Sequence, residues 1–113
     1  MNRTIILYRE KDSYLLNADI NVQKQQCKDF AQAKKLEVTQ EYVGIPWNEE
    51  DTSLLALDSI ADIKIAAEKG EFDVLLVYSF YCIGRQDIET PIAIQGLLKM
   101  GVQIQSVLEG SFV

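Results

Sequence analysis

The loop from Ser79 to Arg85 is the stretch of this sequence where we expect side chains to contact a ligand. It follows a short apolar, β-branched run, Val74 to Tyr78, and it ends in Gly84 and Arg85. Such a run predicts a strand buried on both faces, as at the centre of a parallel sheet. Because open α/β sheets bind ligands beyond the carboxyl ends of their strands, we expect the functional site in this loop.

The chain has no histidine, and this absence excludes several kinds of chemistry. Neither a Ser-His nor a Cys-His nucleophile pair can form within one chain. Two cysteines with carboxylates are a poor ligand set for zinc. The phosphate-binding patterns G-x-x-x-x-G-K-[ST] and G-x-G-x-x-G do not occur. A formal charge of −6 also argues against a large electrostatic footprint on DNA by this segment alone.

Three other reactive-looking features have simpler interpretations. Cys27 lies on the apolar face of a predicted helix, which favours a core residue. Cys82 has no basic neighbour closer in sequence than Arg85, so we interpret it as an inert, partly buried thiol. The acidic run Glu49-Glu50-Asp51 precedes a predicted helix, where capping and dipole matching are more common than metal binding.

Length and composition indicate one soluble domain. The chain has 113 residues, 48% hydrophobic and 25% charged, which suits a globular fold with a modest core. It has no apolar run near the roughly 20 residues of a membrane span and no signal-peptide pattern. Two cysteines are too few for a disulfide framework, so the expected location is the reducing cytoplasm.

The hydrophobic pattern predicts the order β-α-β-α-β-α-β. Asn17 or Asp19 would cap the first helix, and Asp51, Thr52 or Ser53 the second, which Gly70 would end. We expect strands at 3–9, 37–43, 74–78 and 102–108, and helices at about 20–35, from 51–53 to 69, and at about 88–100. This order predicts a three-layer α/β fold with a four-stranded, mostly parallel sheet and helices on both faces.

Five stretches of the sequence, in this order, resemble the N-terminal catalytic domain of the resolvase/invertase serine recombinases. They are a Tyr-Arg pair ending the first strand, INVQKQQCKDFAQAKKLEV, EYVGI followed by DTSL, KGEFDVLLVYSFYCIGR, and LLKMGVQIQSVLEG. No single stretch is specific, but the ordered combination spans nearly the whole chain. The resemblance implies one resolvase-like domain over residues 1–113, without the dimerising helix and DNA-binding region that follow it in the family.

The resemblance also implies a chemistry. In the family a serine hydroxyl attacks a DNA phosphodiester and forms a phosphoserine linkage, while arginines hold the charge that develops on the phosphate. No cofactor or metal is needed. The residues of this chain that could take these roles are Ser13 as nucleophile, with Arg9 and Arg85 as phosphate ligands. The implied partners are DNA, bound through the full-length protein, and further copies of the chain, with no membrane.

At the first strand the sequence departs from the family pattern Tyr-x-Arg-x-Ser. With Tyr8 as the anchor, the arginine position holds Glu10 and the nucleophile position holds Asp12. Arg9 lies one residue before the family's arginine position, and Ser13 lies one residue after its serine position. In a strand, a shift of one residue reverses the direction of a side chain. A loop insertion would restore Ser13 but would leave Arg9 misdirected.

The central loop departs from the family pattern as well. Where the family has Asp-Arg-x-Gly-Arg, this chain has Tyr81 and Cys82 in place of the aspartate and first arginine, followed by Ile83, Gly84 and Arg85. Only leucines and an alanine follow Thr52-Ser53, where a further arginine is expected. Arg85 itself can bind phosphate or pair with an acid of the next helix. The resemblance therefore implies a recombinase domain with a degenerate active site.

Three functional interpretations stay open at this point. In the first, which we favour, the domain is a weak or inactive recombinase domain that serves as an association or regulatory module of a mobile-element protein. In the second, it is a divergent DNA-cleaving enzyme that uses Ser13, Arg9 and Arg85. In the third, it is an unrelated flavodoxin-like or receiver-like α/β domain. A receiver would need an aspartate ending its third strand, and Ser79-Phe80-Tyr81 does not supply one.

Overall fold

The computed structural model of the chain describes residues 2–9, 18–44, 59–83 and 89–111. Five strands and three helices lie within these ranges. The strands are β1 (Arg3–Arg9), β2 (Glu37–Gly44), β3 (Val74–Val77), β4 (Gln103–Ser106) and β5 (Gly110–Ser111). The helices are α1 (Ile20–Ala33), α2 (Ser59–Glu68) and α3 (Glu89–Lys99), with a 3₁₀ turn at Phe80–Cys82 after β3.

The strands form one sheet in the order β2-β1-β3-β4-β5. The first four are parallel, which confirms the predicted four-stranded parallel sheet, and β5 pairs with β4 in the antiparallel direction. The prediction of one strand over 102–108 is wrong at its end. The chain turns at 107–109, and Gly110, with φ +91°, starts a return strand on the outer edge of β4.

Side chains of β1 alternate between two buried layers. Ile6 and Tyr8 pack with Cys27 of α1 on one face of the sheet. Ile5 and Leu7 face the other layer, where they pack with residues of α2 and α3, among them Ile63, Ala66, Ile94 and Leu97. Helices therefore cover both faces, as predicted, and the interpretation of Cys27 as a fully buried core residue is confirmed.

The helix ends show which of the predicted caps the chain uses. Asp19 caps α1, because its Oδ1 accepts hydrogen bonds from the backbone N–H groups of Asn21 and Val22, both at 3.0 Å. Gly70 ends α2 with φ +67°, as predicted. Helix α1 stops at Ala33 and not near residue 35, because Lys35 adopts the left-handed conformation, with φ +57°.

Some predictions fall outside the described residues. They include the caps at Asp51, Thr52 and Ser53, and the acidic run that begins at Glu49. Within the ranges that the structure describes, no helix combines the length and apolar character that crossing a membrane requires.

Candidate functional site

The carboxyl ends of β1, β2 and β3 meet around Arg9, the last residue of β1. Gln23 of α1 holds the main chain there from one side: its Oε1 accepts from the Arg9 N–H at 3.0 Å, and its Nε2 donates to the Arg9 carbonyl at 2.6 Å. The same Nε2 also donates to the carbonyl of Ala18 at 3.0 Å. Gln23 is fully buried, so this one amide fixes where the first strand ends relative to the start of α1.

The side chain of Arg9 is also fully buried. Its Nε and Nη2 both donate to the backbone carbonyl of Cys82, at 3.1 and 2.7 Å. A buried guanidinium is stable only when its N–H groups have acceptors, since taking an unpaired charge out of water is very costly. Arg9 thus connects the end of β1 to the turn that follows β3.

Sheet register explains why Arg9 fits into this space. In the parallel ladder Arg9 lies beside Gly44, and Tyr8 beside Val43. Tyr8 points toward α1, so its neighbour Arg9 points to the opposite face, as the one-residue displacement from the family pattern predicts. A glycine at the paired position leaves room for the guanidinium, because a Cβ there would meet its atoms.

Cys82 contributes its backbone, not a reactive thiol, to this arrangement. Its backbone N–H donates to the Ser79 carbonyl at 2.9 Å, within the 3₁₀ turn. Its side chain is fully buried, with Sγ 3.8 Å from Oε1 of Gln23. Burial raises the pKa of the Cys82 thiol to about 11, so the group is protonated at neutral pH. The burial is complete, where the sequence predicted a partly buried thiol.

Glu109 holds the same turn from the other side. Its carboxylate accepts from Ser79 Oγ at 2.9 Å, from the backbone N–H of Phe80 at 3.0 Å, and from Ser106 Oγ. These bonds join the start of the loop after β3 to the turn after β4. Sequence reasoning gave no role to Glu109; the signal was its place directly after the last predicted strand, in SVLEG.

Of the three residues predicted for catalysis, the structure describes one. Arg9 is brought together with Gln23, Gly44 and Cys82 at the carboxyl edge of the sheet. Ser13 and Arg85 lie outside the described residues, so their roles stay predictions. The substituted positions Glu10 and Asp12 lie outside them too. Within the described part of the chain, no three Cys, Asp or Glu side chains are grouped so that they could hold a metal ion.

No model of a protein family matches the chain, and no curated protein does. Solved structures do. The N-terminal catalytic domain of TP901-1 integrase superposes with a TM-score of 0.75 at 18% identity, over 96% of this chain and 78% of that one. The C-terminal catalytic domain of ISC1926 TnpA, an IS607-like serine recombinase, gives a TM-score of 0.70 at 21% identity, over 93% and 70%.

A resolvase family site-specific recombinase from Streptococcus pneumoniae gives a TM-score of 0.72 at 17% identity, over 97% of this chain and 74% of that one. At these identities the likeness establishes the fold. The chain has the α/β fold of the catalytic domains of resolvase-type serine recombinases, which confirms the fold that the sequence resemblance implied.

Proposed function

We propose that this chain is a resolvase-type serine recombinase domain that cleaves DNA weakly or not at all by itself and serves as an association or regulatory module. The family function is breakage and rejoining of DNA strands through a phosphoserine intermediate. The observation that carries the proposal is the inward direction of Arg9. Both its Nε and its Nη2 donate to the Cys82 carbonyl, and its side chain has no exposed surface.

A phosphate ligand has to present its N–H groups to the substrate. An arginine stabilises developing phosphate charge when its forked donors reach the phosphate oxygens directly. Two donors of Arg9 are already bound to protein, and moving the side chain outward would leave the Cys82 carbonyl without them. This supports a role for Arg9 in holding the loop after β3 in place, and not in contacting DNA.

The position of Cys82 supports the same conclusion. In the family pattern this position is an arginine, and here it is a buried, neutral thiol. Removing one preorganised donor from an active site commonly costs about 100-fold or more in rate. Together with the replacements at Glu10, Asp12 and Tyr81, this substitution supports a loss of cleavage activity that no single reversion would restore.

The proposal includes the setting in which such a domain acts. We place it in the cytoplasm, associated with further copies of itself and with DNA through the regions that accompany this domain in recombinases. No cofactor is needed. The competing function is a divergent enzyme in which Ser13 attacks DNA and Arg85 binds the phosphate.

The two functions are separated by one experiment. The purified protein is incubated with nicked and supercoiled DNA, and the products are analysed on a denaturing gel and by intact mass. Wild type, Ser13→Ala and Arg85→Ala are compared, with circular dichroism as the check of folding. We expect no covalent adduct in any of the three. A phosphoserine-linked adduct that wild type forms and Ser13→Ala loses would establish the enzyme and refute the proposal.

A further inference from the structure

Strand β2 is one of the two edge strands of the sheet, and one of its faces is incompletely covered. Helix α1 packs chiefly against β1 and β3. A helix is about 10 Å wide and strands lie about 4.8 Å apart, so one helix covers about two strands. The β2 side chains on the α1 side are accordingly exposed: Val38 retains 38% and Val43 46% of its surface. An uncovered space remains beside α1.

This space is a groove of about 430 Å³ between α1 and β2. Its apolar surface comes from Ala31, Leu36 and Val38, and Lys28, Gln32 and Lys35 complete its lining. We call it the α1–β2 groove. An apolar floor beside two ammonium groups suits an apolar side chain flanked by carboxylates.

The lysines of the groove are weakly neutralised. Within the described residues Lys28 has one ion pair, with its Nζ 3.8 Å from Glu41 Oε1, and Lys35 has none. Four of the 11 basic residues of the chain, Lys24, Lys28, Lys34 and Lys35, lie on α1 or directly after it. Because the whole chain carries −6, this concentration of positive charge will attract acidic surfaces, including those of other copies.

A matching surface lies on α2 of the same protein. Ile65, on the outer side of α2, retains 49% of its surface. Asp62 and Glu68, three residues to either side, are also exposed and share its face of the helix. Lys69, one turn after Ile65, is also exposed on this face. The resulting α2 surface has an apolar side chain with a carboxylate on either side of it along the helix, and its two carboxylates outnumber its one ammonium group, so its charge is opposite to that of the α1–β2 groove.

The two surfaces cannot meet within one molecule. Buried α2 residues, Ile63, Ala66 and Ala67, pack with Ile5 and Leu7 on the face of the sheet opposite α1. The outer side of α2 therefore points away from the groove of its own chain. Only a second copy can bring its α2 into the groove.

We propose that the α1–β2 groove binds the α2 surface of a second copy, with Ile65 on the apolar floor and Asp62 and Glu68 near Lys28 and Lys35. Because the two surfaces differ, the contact is head-to-tail, and a pair of copies keeps one groove and one α2 surface for further copies. The inference specifies the association role proposed above and rests on it. Its test measures molecular mass, so its failure is distinguishable from failure of the DNA-cleavage test.

The test is a charge exchange between two variants, measured by sedimentation velocity at low salt over a range from micromolar to millimolar protein. The first variant is Lys28→Glu/Lys35→Glu, and the second is Asp62→Lys/Glu68→Lys. Each has a groove and an α2 surface of the same sign, so each alone should be monomeric where wild type self-associates. Mixed together, the two variants pair opposite charges at every contact, and association should return.

Two controls separate this interface from general charge effects and from misfolding. Lys99→Glu/Gln95→Glu/Gln103→Glu, at exposed positions of α3 and β4, changes the net charge as much as the groove variant does and should not weaken association. Ile65→Ser removes an exposed apolar side chain and should weaken association at least about tenfold, or about 1.4 kcal/mol, while circular dichroism stays unchanged. A wild type that stays monomeric throughout, an association that the charge reversals leave intact, or a mixture of the two variants that does not associate would overturn the proposal.

Discussion

The guanidinium of Arg9 lies directly against Gly44, the residue beside it in the parallel ladder. A Cβ placed on Gly44 would be 2.2 Å from Nη1 and 2.5 Å from Cζ of Arg9. Gly44 is therefore required for space and not for a left-handed backbone, since its φ is not among the positive values of the described residues.

Gly44→Ala should destabilise the protein by about 1–3 kcal/mol, because the added methyl group displaces the buried guanidinium from the Cys82 carbonyl. Urea denaturation measures the change. In an Arg9→Ala background the same substitution should cost much less, because the obstructing atoms are gone. Equal costs in both backgrounds would show that the contact with Arg9 is not the cause.

Gly96 of α3 is the matched control for that substitution. Apart from its chain neighbours and the backbone of its own helix, a Cβ there would have no heavy atom within 4 Å, and the residue lies inside a helix, where glycine is less favourable than alanine. Gly96→Ala should therefore stabilise the protein by about 0.5–1 kcal/mol, a change opposite in sign to that of Gly44→Ala.

Gln23→Glu should destabilise the protein by on the order of 2–3 kcal/mol. The new carboxylate accepts from the Arg9 N–H but does not donate to the carbonyls of Arg9 and Ala18, which are left facing another oxygen in a buried place. Urea denaturation gives the free energy, and hydrogen exchange of the Arg9 amide reports the local opening. Gln26→Glu, at an exposed position of the same helix, should stay within about 0.5 kcal/mol of wild type.

Lys35→Gly should stabilise the protein by up to about 1 kcal/mol. Lys35 follows the end of α1 in a left-handed conformation that costs an L-residue about 1–2 kcal/mol, and glycine avoids that cost while adding entropy to the unfolded chain. Thermal unfolding detects the gain. Gly101→Ala, at the corresponding position after α3 with φ +87°, should change stability in the opposite direction.

Stability should fall as pH rises above about 9. Burial raises the pKa of Cys27 to about 12 and that of Cys82 to about 11, whereas both thiols titrate near their ordinary values in the unfolded chain. Between the two values the native state binds more protons than the unfolded state, so stability is fully present below the unfolded pKa and is lost as pH rises. Each thiol contributes a slope of about 1.4 kcal/mol per pH unit.

Urea titrations at several pH values measure that slope. In the double variant Cys27→Ala/Cys82→Ala, the free energy of unfolding should fall less between pH 9 and 11 than in wild type. The difference is the contribution of the two thiols. Part of the remaining loss of stability comes from Tyr8. Burial and the hydrogen bond to Glu41 raise the pKa of its hydroxyl group as well. An unchanged pH profile in the double variant would contradict the assignment to the cysteines.

Local patterns in the sequence predicted most of the elements, because each depends on near neighbours. The bounds of β1 follow from one apolar run, and the cap of α1 from Asp19 alone. The predicted end of the last parallel strand was wrong. The alternation in VQIQSVL holds only as far as Gln105, and the turn that follows Ser106 depends on hydrogen bonds between Ser106 and Glu109. A period-2 pattern contains no information about such a bond.

The environment of Arg9 was beyond sequence reasoning for a different reason. Its burial depends on the absence of a side chain 35 positions later, at Gly44, and on a backbone carbonyl 73 positions later, at Cys82. Neither is visible as a motif. The pattern did predict that Arg9 points away from the face of Tyr8, since alternation along a strand is a local property.

The central place of β1 in the sheet has a consequence for how the protein is made. One edge of β1 pairs with β2, which follows soon in the chain, but its other edge pairs with β3, about 70 residues later. During synthesis that second edge and the Arg9 guanidinium have to stay hydrated until Cys82 has left the ribosome. Until then, the unpaired edge of β1 can pair with strands of other chains. A truncated chain that lacks β3 should therefore aggregate more readily than the complete one.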